Sequence, residues 1–422
     1  VNREIAASGG ASIAVLSALN TLVSFVVPWL VVTELGMGGE SDALFASSVV
    51  PQLMVNVICA SLPYVLVPLL VQSAPASFFV LVSTYCLSVS GGLAVLAAIV
   101  GLASPVWVEW IFPGFSQENQ VVASSLIAIQ CIGIAFTGVA SVLSAAYNSR
   151  RKFVYPVWCA FASSAIAAVG FLLSFERFGI FAAAWAMTLR PIIFTVLQFP
   201  IAIPPKWPDF SHHDFLAGLR RLWPISAGSS YYKTDQLVDR FLASLAVPGA
   251  LSTLHLAQQL YGAANQIVVA SIANPAMPKF VGLALGSKET YWKFVRVVMI
   301  RVSLIGAVFY AVICIFGKPI LGSVFGGGNF GADDADQLWL MLLALGMAWM
   351  AGLVGQVISN AFYATGDTRT PTVIGAIGFT LGIGIKVIGF FLLGVVGIAL
   401  ATGIYSIGNA IAMIVVQRNR LR

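Results

Sequence analysis

The sequence predicts an all-α integral membrane protein, with twelve transmembrane helices in two pseudo-symmetric six-helix bundles. Three observations carry that prediction. Of 422 residues, 59% are hydrophobic and only 9% charged, where soluble domains run about 25% charged. Apolar runs of bilayer length recur along the whole chain, so no single signal peptide accounts for them. Most of the basic residues between the runs also fall on one side.

The spans are placed at about 10–32, 43–71, 77–103, 121–148, 153–174, 179–203, 222–245, 251–283, 294–316, 336–363, 371–393 and 396–416. Alternate loops then divide the charge. One side receives Arg3, Arg150, Arg151, Lys152, Lys206, Arg220, Arg221, Lys279, Lys288, Lys293, Arg296, Arg301, Arg369, Arg418, Arg420 and Arg422. The other receives Arg177 and Lys318, with most of the loop acids. The positive-inside rule therefore places both termini in the cytoplasm. The net charge of +6 is a topology signal, and no nucleic-acid partner is expected.

Three matches in order suggest an internal repeat. Ala60-Ser61 with Pro68 matches Ala270-Ser271 with Pro278. Phe112 before Gly114 matches Phe325 before Gly326. Ser144 to Tyr147 before Pro156 matches Asn360 to Tyr363 before Pro371. Halves of six spans both enter from the cytoplasm, which makes the repeat parallel. The expected division is residues 1–203, a linker at 204–221 and residues 222–422. Pro204, Pro205 and Pro208 end the sixth span, and a short interfacial helix with Phe215 and Leu219 follows. Pro68 and Pro278 are read as equivalent bending points, because interior proline frees a backbone carbonyl.

The stretch SSYYKTDQLVDRFLAS, residues 229–244, carries Lys233, Asp235, Asp239 and Arg240 within eight residues. At about 100° per residue, these four share one helical face with Tyr232 and Gln236. A charge at mid-bilayer costs roughly 2.5–3.5 kcal/mol on insertion scales, so this face is expected to line a hydrated chamber between the two halves. Arg190, before Pro191, and Lys386 are further cations at membrane depth. Asn20, Gln258, Gln259, Gln356 and Asn360 interrupt other spans, where helix–helix hydrogen bonding is the ordinary use of such residues. The five cysteines show no metal-ligand spacing, and His212-His213 reads as a solvated turn. No GxxxxGKS/T, GxSxG or HExxH pattern occurs. The chain is therefore expected to be no enzyme and to hold no metal or cofactor.

GGESDALFASSVVP, VDRFLASLAVPGALSTLHLAQQLYG and NAFYATGDTRTPTVIG resemble the MurJ/MviN-like lipid II flippases, within the multidrug/oligosaccharidyl-lipid/polysaccharide exporter superfamily. The resemblance implies an alternating-access flippase, acting as a monomer. It would carry an undecaprenyl-pyrophosphate type of lipid-linked glycan to the outer leaflet of the bacterial inner membrane, with Na+ or H+ as coupling ion. Cavity cations would meet the pyrophosphate: Arg240, Lys233, Arg190 and Lys386, with Tyr232, Gln236, Gln258 and Gln259 beside them. Asp235, Asp239 and Asp42 of the SDALF motif would serve gating or ion coupling. The first two spans lack the family's arginines, and Gln258-Gln259 replaces an acid–arginine pair. Those departures favour a surface-polysaccharide repeat unit over the peptidoglycan precursor lipid II. A cation-coupled multidrug or metabolite exporter is the alternative, and it calls for a cavity dominated by acids. A scaffold or membrane enzyme of envelope assembly is a third reading, and it leaves Asp235, Asp239 and Arg240 replaceable.

Overall fold

A computed structural model describes residues 2–202, 206–284 and 286–421, all α-helical in architecture. Pro204, Pro205 and Arg422 lie outside the described residues. The helices are α1 (Asn2–Leu35), α2 (Gly39–Ser47), α3 (Val49–Ile58), α4 (Leu62–Gln72), α5 (Pro75–Leu102), α6 (Ser104–Ile111), α7 (Gln117–Ser149) and α8 (Val154–Phe178). There follow α9 (Ile180–Gln198), α10 (His213–Lys233), α11 (Asp235–Ser244), α12 (Ala250–Val268), α13 (Asn274–Ala284), α14 (Lys288–Phe325), α15 (Ala332–Ala364) and α16 (Arg369–Leu421).

Among the described residues, nine helices are long and apolar enough to cross a bilayer, or ten if the bent pair 250–273 and 275–284 is one span. The expected count of twelve is not reproduced directly, and the difference has two sources. The seventh segment, α10 with α11, carries too much polarity to qualify. α16 is counted once, although 53 residues of straight helix would run to about 80 Å, far beyond a hydrocarbon core of about 30 Å. It turns at Gly394, where φ 61° and ψ −144° are accessible to glycine and strained for other residues. The backbones on either side approach so closely that a Cβ on Gly397 would lie 1.8 Å from the Gly389 carbonyl oxygen.

The chain forms two compact units. The first holds residues up to Val31 and Gly39–Leu237; the second holds Val32–Gly38 and Val238 onward. In the first unit α7 is the central helix, packed by α5, α9, α4 and α2. Thr188 and Thr195 of α9 donate to the carbonyls of Ile129 and Phe136 on α7, at 3.0 and 2.8 Å. Both pairs are seven residues apart, two turns of helix, so the bonds fix one register. Asn20 accepts from Ser164 at 2.7 Å, the interhelical role expected of it. In the second unit α15 takes the central place, against α16, α14 and α12. Tyr261, Tyr291 and Tyr310 donate their hydroxyls to the Leu342, Ala361 and Leu343 carbonyls at 2.8, 2.6 and 2.9 Å.

Each unit has one span that leaves α geometry at the position the repeat marked. In the first, a 3-10 turn at Cys59–Ser61 separates α3 from α4. In the second, a π turn at Val269–Ala273 separates α12 from α13, with a bend of 44°. Both occur about two turns before a proline, Pro68 or Pro278. Phe112 and Phe325, the paired loop aromatics, are both buried, against Phe115 and Phe330.

Candidate functional site

The charged stretch does not form one helix. α10 ends at Lys233, Thr234 caps it by donating its hydroxyl to the Tyr231 carbonyl at 2.6 Å, and α11 begins at Asp235. The single continuous polar face expected for residues 232–240 is therefore interrupted. Tyr232, Lys233, Asp235 and Gln236 fall in the first unit, and Asp239 and Arg240 in the second. Lys233 is half-buried and reaches the Asn56 carbonyl at 2.5 Å. That carbonyl lies one turn before the 3-10 break, where the regular α ladder is interrupted. Tyr232 and Gln236 are exposed.

Asp239 and Arg240 were expected on a hydrated surface, and the structure corrects that. Their exposure is 2% and 3%, and that of Lys386 is 0%. Buried charges must find partners, because desolvation otherwise costs several kcal/mol per ion, as an order of magnitude. The partners come from three helices. Lys386 Nζ of α16 donates to Asp239 Oδ1 at 2.6 Å. Gln258 of α12 donates to Asp239 Oδ2 at 2.8 Å. The Gln258 carbonyl accepts from Arg240 Nη2 at 3.0 Å, and the same nitrogen meets His255 Nδ1 at 2.6 Å. His255 and Gln258 stand three residues apart on α12, hence on one face. The Lys386 ammonium also sits 5.4 Å from the Tyr405 ring centre.

Chemistry fixes the donors. A guanidinium has no acceptor, so His255 Nδ1 must accept, and its ring is neutral with the proton on Nε2. The Gln258 amide is oriented by having an acid on one side and an arginine on the other. The Gln259 side-chain oxygen is buried and finds no hydrogen-bond partner among the described residues. Such an acceptor is suited to a polar group brought by a ligand or water.

The remaining expected residues stand apart from this network. Arg190 is half-buried in α9, followed by Pro191, which packs against Gly133 of α7. Asp42 is 4% exposed in α2. No group of acids, histidines and cysteines among the described residues could hold a metal ion. His212 instead caps α10 by accepting from the Asp214 backbone at 3.2 Å. Sequence reasoning missed His255; its signal was the spacing of His255 to Gln258 in an apolar span. It also missed a clamp at the end of the chain. Arg420 binds the Asp367 carboxylate and donates to Thr370 Oγ1 at 2.8 Å. Thr370 donates to Asp367 at 2.6 Å. This bond first, and the arginine after it, hold the Asp367 carboxyl down at about 2.

A sequence model of the family described as lipid II flippase MurJ matches residues 31–422. The chain belongs to that family. The probable lipid II flippase MurJ of Vibrio cholerae is 21% identical over 95% of this chain and 80% of its own length. The corresponding protein of Buchnera aphidicola is also 21% identical, over 85% of this chain and 73% of its own length. Among solved structures, a lipid II flippase MurJ in an inward closed conformation superposes with a TM-score of 0.83, at 18% identity over 96% of this chain and 87% of that one. The eukaryotic MATE transporter AtDTX14 superposes at 0.66, with 14% identity over 98% and 97% of the two chains. These likenesses show a fold shared by the flippase and MATE branches, as the superfamily resemblance implied. Its many apolar helices and its family make the protein a multi-pass protein of the bacterial inner membrane. Within the flippase family, the Gln258-Gln259 pair acquires a use here: Gln258 is the hinge of the buried network.

Proposed function

We propose that the protein is a flippase for a polyprenyl-pyrophosphate-linked saccharide, carrying it from the inner to the outer leaflet of the bacterial cytoplasmic membrane. The cargo is lipid II or a surface-polysaccharide repeat unit. The observation that carries this reading is the buried Lys386–Asp239–Gln258–Arg240–His255 network in a chain that the flippase family spans from residue 31 to 422. The multidrug-exporter reading has only the fold in its favour. Its acid-dominated site is not what this network offers, since Asp239 is already held by a lysine.

The network has a mechanism in it. A pyrophosphate competes with Asp239 for Lys386, and with His255 and Gln258 for Arg240, because charge-assisted bonds to phosphate are strong and arginine presents a fork that fits it. Once those cations turn to the cargo, the Asp239 carboxylate needs another positive partner, which Na+ or H+ supplies. Cargo and coupling ion thus act on one pair from opposite sides. Arg190, Lys233, Tyr232, Gln236 and Gln259 are further cargo contacts, and Asp235 and Asp42 take part in gating. The breaks before Pro68 and Pro278 are the bending points. Both termini lie in the cytoplasm, by the charge distribution, the working unit is a monomer, and the halves are 1–203 and 222–422 with 204–221 as linker.

The test is the appearance of cargo at the outer leaflet. In cells depleted of their own flippase, expression of this chain restores access of an external pyrophosphate-cleaving enzyme to lipid II or to a polysaccharide carrier. Access restored for neither cargo, with the protein present in the membrane, overturns the proposal.

A further inference from the structure

The second unit has an apolar groove that the transport step above does not use. It measures about 440 Å³, is open to the surface, and is lined by Ile300, Leu304 and Ala307 of α14, Met350 and Val354 of α15, and Ile414 of α16. Methionine adapts to irregular apolar shapes, and Ile300 and Leu304 remain 53% and 61% exposed. In hydrocarbon such a groove is filled by a lipid chain, and the residues at one of its ends say which lipid.

That end is basic on two helices. At about 100° per residue, Arg296 lies in the middle of the groove-lining face of α14, one to two turns nearer the helix start than Ile300 and Ser303. Lys293 lies on the same face one turn further. On α16, Arg418 follows Ile414 by four residues and so shares its face. Lys293, Arg296 and Arg418 are all exposed. The start of α14 and the end of α16 lie side by side, because Lys288 Nζ donates to the Arg420 carbonyl at 3.2 Å. Arg296 and Arg418 therefore flank one mouth of the groove. The positive-inside distribution assigns that mouth to the cytoplasmic side, where the leaflet carries anionic lipid.

We propose that this groove is a binding site for an anionic phospholipid of the cytoplasmic leaflet. One acyl chain lies along Ile300, Leu304 and Ala307, and the phosphate sits between Arg296 and Arg418. The site is independent of which saccharide is carried. Arginine supplies paired donors to phosphate oxygens, and each basic residue at the membrane surface favours anionic lipid. Two of them give a preference for phosphatidylglycerol over phosphatidylcholine of about tenfold or more.

Native mass spectrometry of the full chain, purified with equal amounts of the two phospholipids, tests this. The wild type retains phosphatidylglycerol with that preference. Arg296→Gln with Arg418→Gln abolishes the preference while a lipid is still retained. Ala307→Trp fills the groove and cuts retention of both lipids about tenfold, and Ile414→Trp, which fills it from α16, does the same. Equal retention of the two lipids by the wild type overturns the headgroup assignment. Unchanged retention in whichever tryptophan variant keeps the wild-type unfolding temperature overturns the groove. Displacement of phosphatidylglycerol by equimolar polyprenyl phosphate overturns the phospholipid assignment and gives the groove to the carrier. Outer-leaflet delivery of cargo is a separate readout, and its failure leaves lipid retention untouched.

Discussion

Lys233 and Lys386 are the same side chain in two settings. Lys233 is half-buried and donates to one backbone carbonyl, that of Asn56. Lys386 is 0% exposed and faces a carboxylate that is itself 2% exposed. Lys233 can release its partner to water at little cost. Lys386 cannot, since separating a buried pair leaves a bare charge on each side. A lysine that releases freely is fit to contact passing cargo. One that releases only when its partner is compensated is fit to couple two events. Lys233 is therefore held loosely and Lys386 firmly.

The sharpest break of this comparison is Lys386→Met. It strands Asp239, and removal of one member of a buried pair costs about 3–5 kcal/mol. The expected outcome is lost export together with a marked fall in the unfolding temperature of the detergent-solubilised protein. Adding Asp239→Asn should recover most of that stability without recovering export. If export returns with stability, Lys386 and Asp239 are structural only. Arg240→Ala comes next. It removes the partner of His255 Nδ1 and of the Gln258 carbonyl, two buried hydrogen bonds worth about 2–4 kcal/mol together. Export should be abolished; retained export removes Arg240 from the mechanism. Lys233→Met should be milder: stability changes by less than about 1 kcal/mol, while outer-leaflet delivery falls severalfold. A large loss of stability would show that the contact with Asn56 is held firmly as well.

The fold was legible because hydropathy and charge segregation are properties of whole segments. Two breaks in the spans were legible for a related reason. A departure from α geometry in a membrane needs particular residues nearby, and Pro68 and Pro278 mark it in both units. The interior of the site was less legible. Helical periodicity placed Asp239 and Arg240 on a polar face, yet it could not say that the face closes on Lys386, which is 147 residues away in the chain. Periodicity also ran straight through Thr234, because nothing in the local sequence forbids a helix there. His255 escaped notice for a simpler reason: its three-residue spacing to Gln258 gains meaning only once Arg240 is seen to reach both. The division of the last helix was legible as well: one span ends at 393 and the next begins at 396, and the backbone turns between them at Gly394.

The clamp at the end of the chain gives the smallest expected effect and extends the same contrast to a surface pair. Arg420 is 51% exposed, so water and salt screen its attraction to Asp367, and Asp367→Asn should cost only about 0.5–1 kcal/mol. The pH dependence separates this from a general loosening. The Asp367 carboxyl is held down to about 2 from 3.8, by the Thr370 hydroxyl first and by Arg420 after it. Its contribution is therefore complete above the unfolded value near 3.8. It fades as pH falls from there through about 2, where the folded state also takes the proton. Protection from hydrogen exchange at the last turn of α16, taken relative to the free-peptide rate at each pH, should accordingly be steady from pH 7 to pH 5 in the wild type. In Asp367→Asn that protection should be lower, by severalfold, throughout the range. Equal exchange in the two proteins would show that Thr370 and Lys288 hold the end of α16 without the carboxylate.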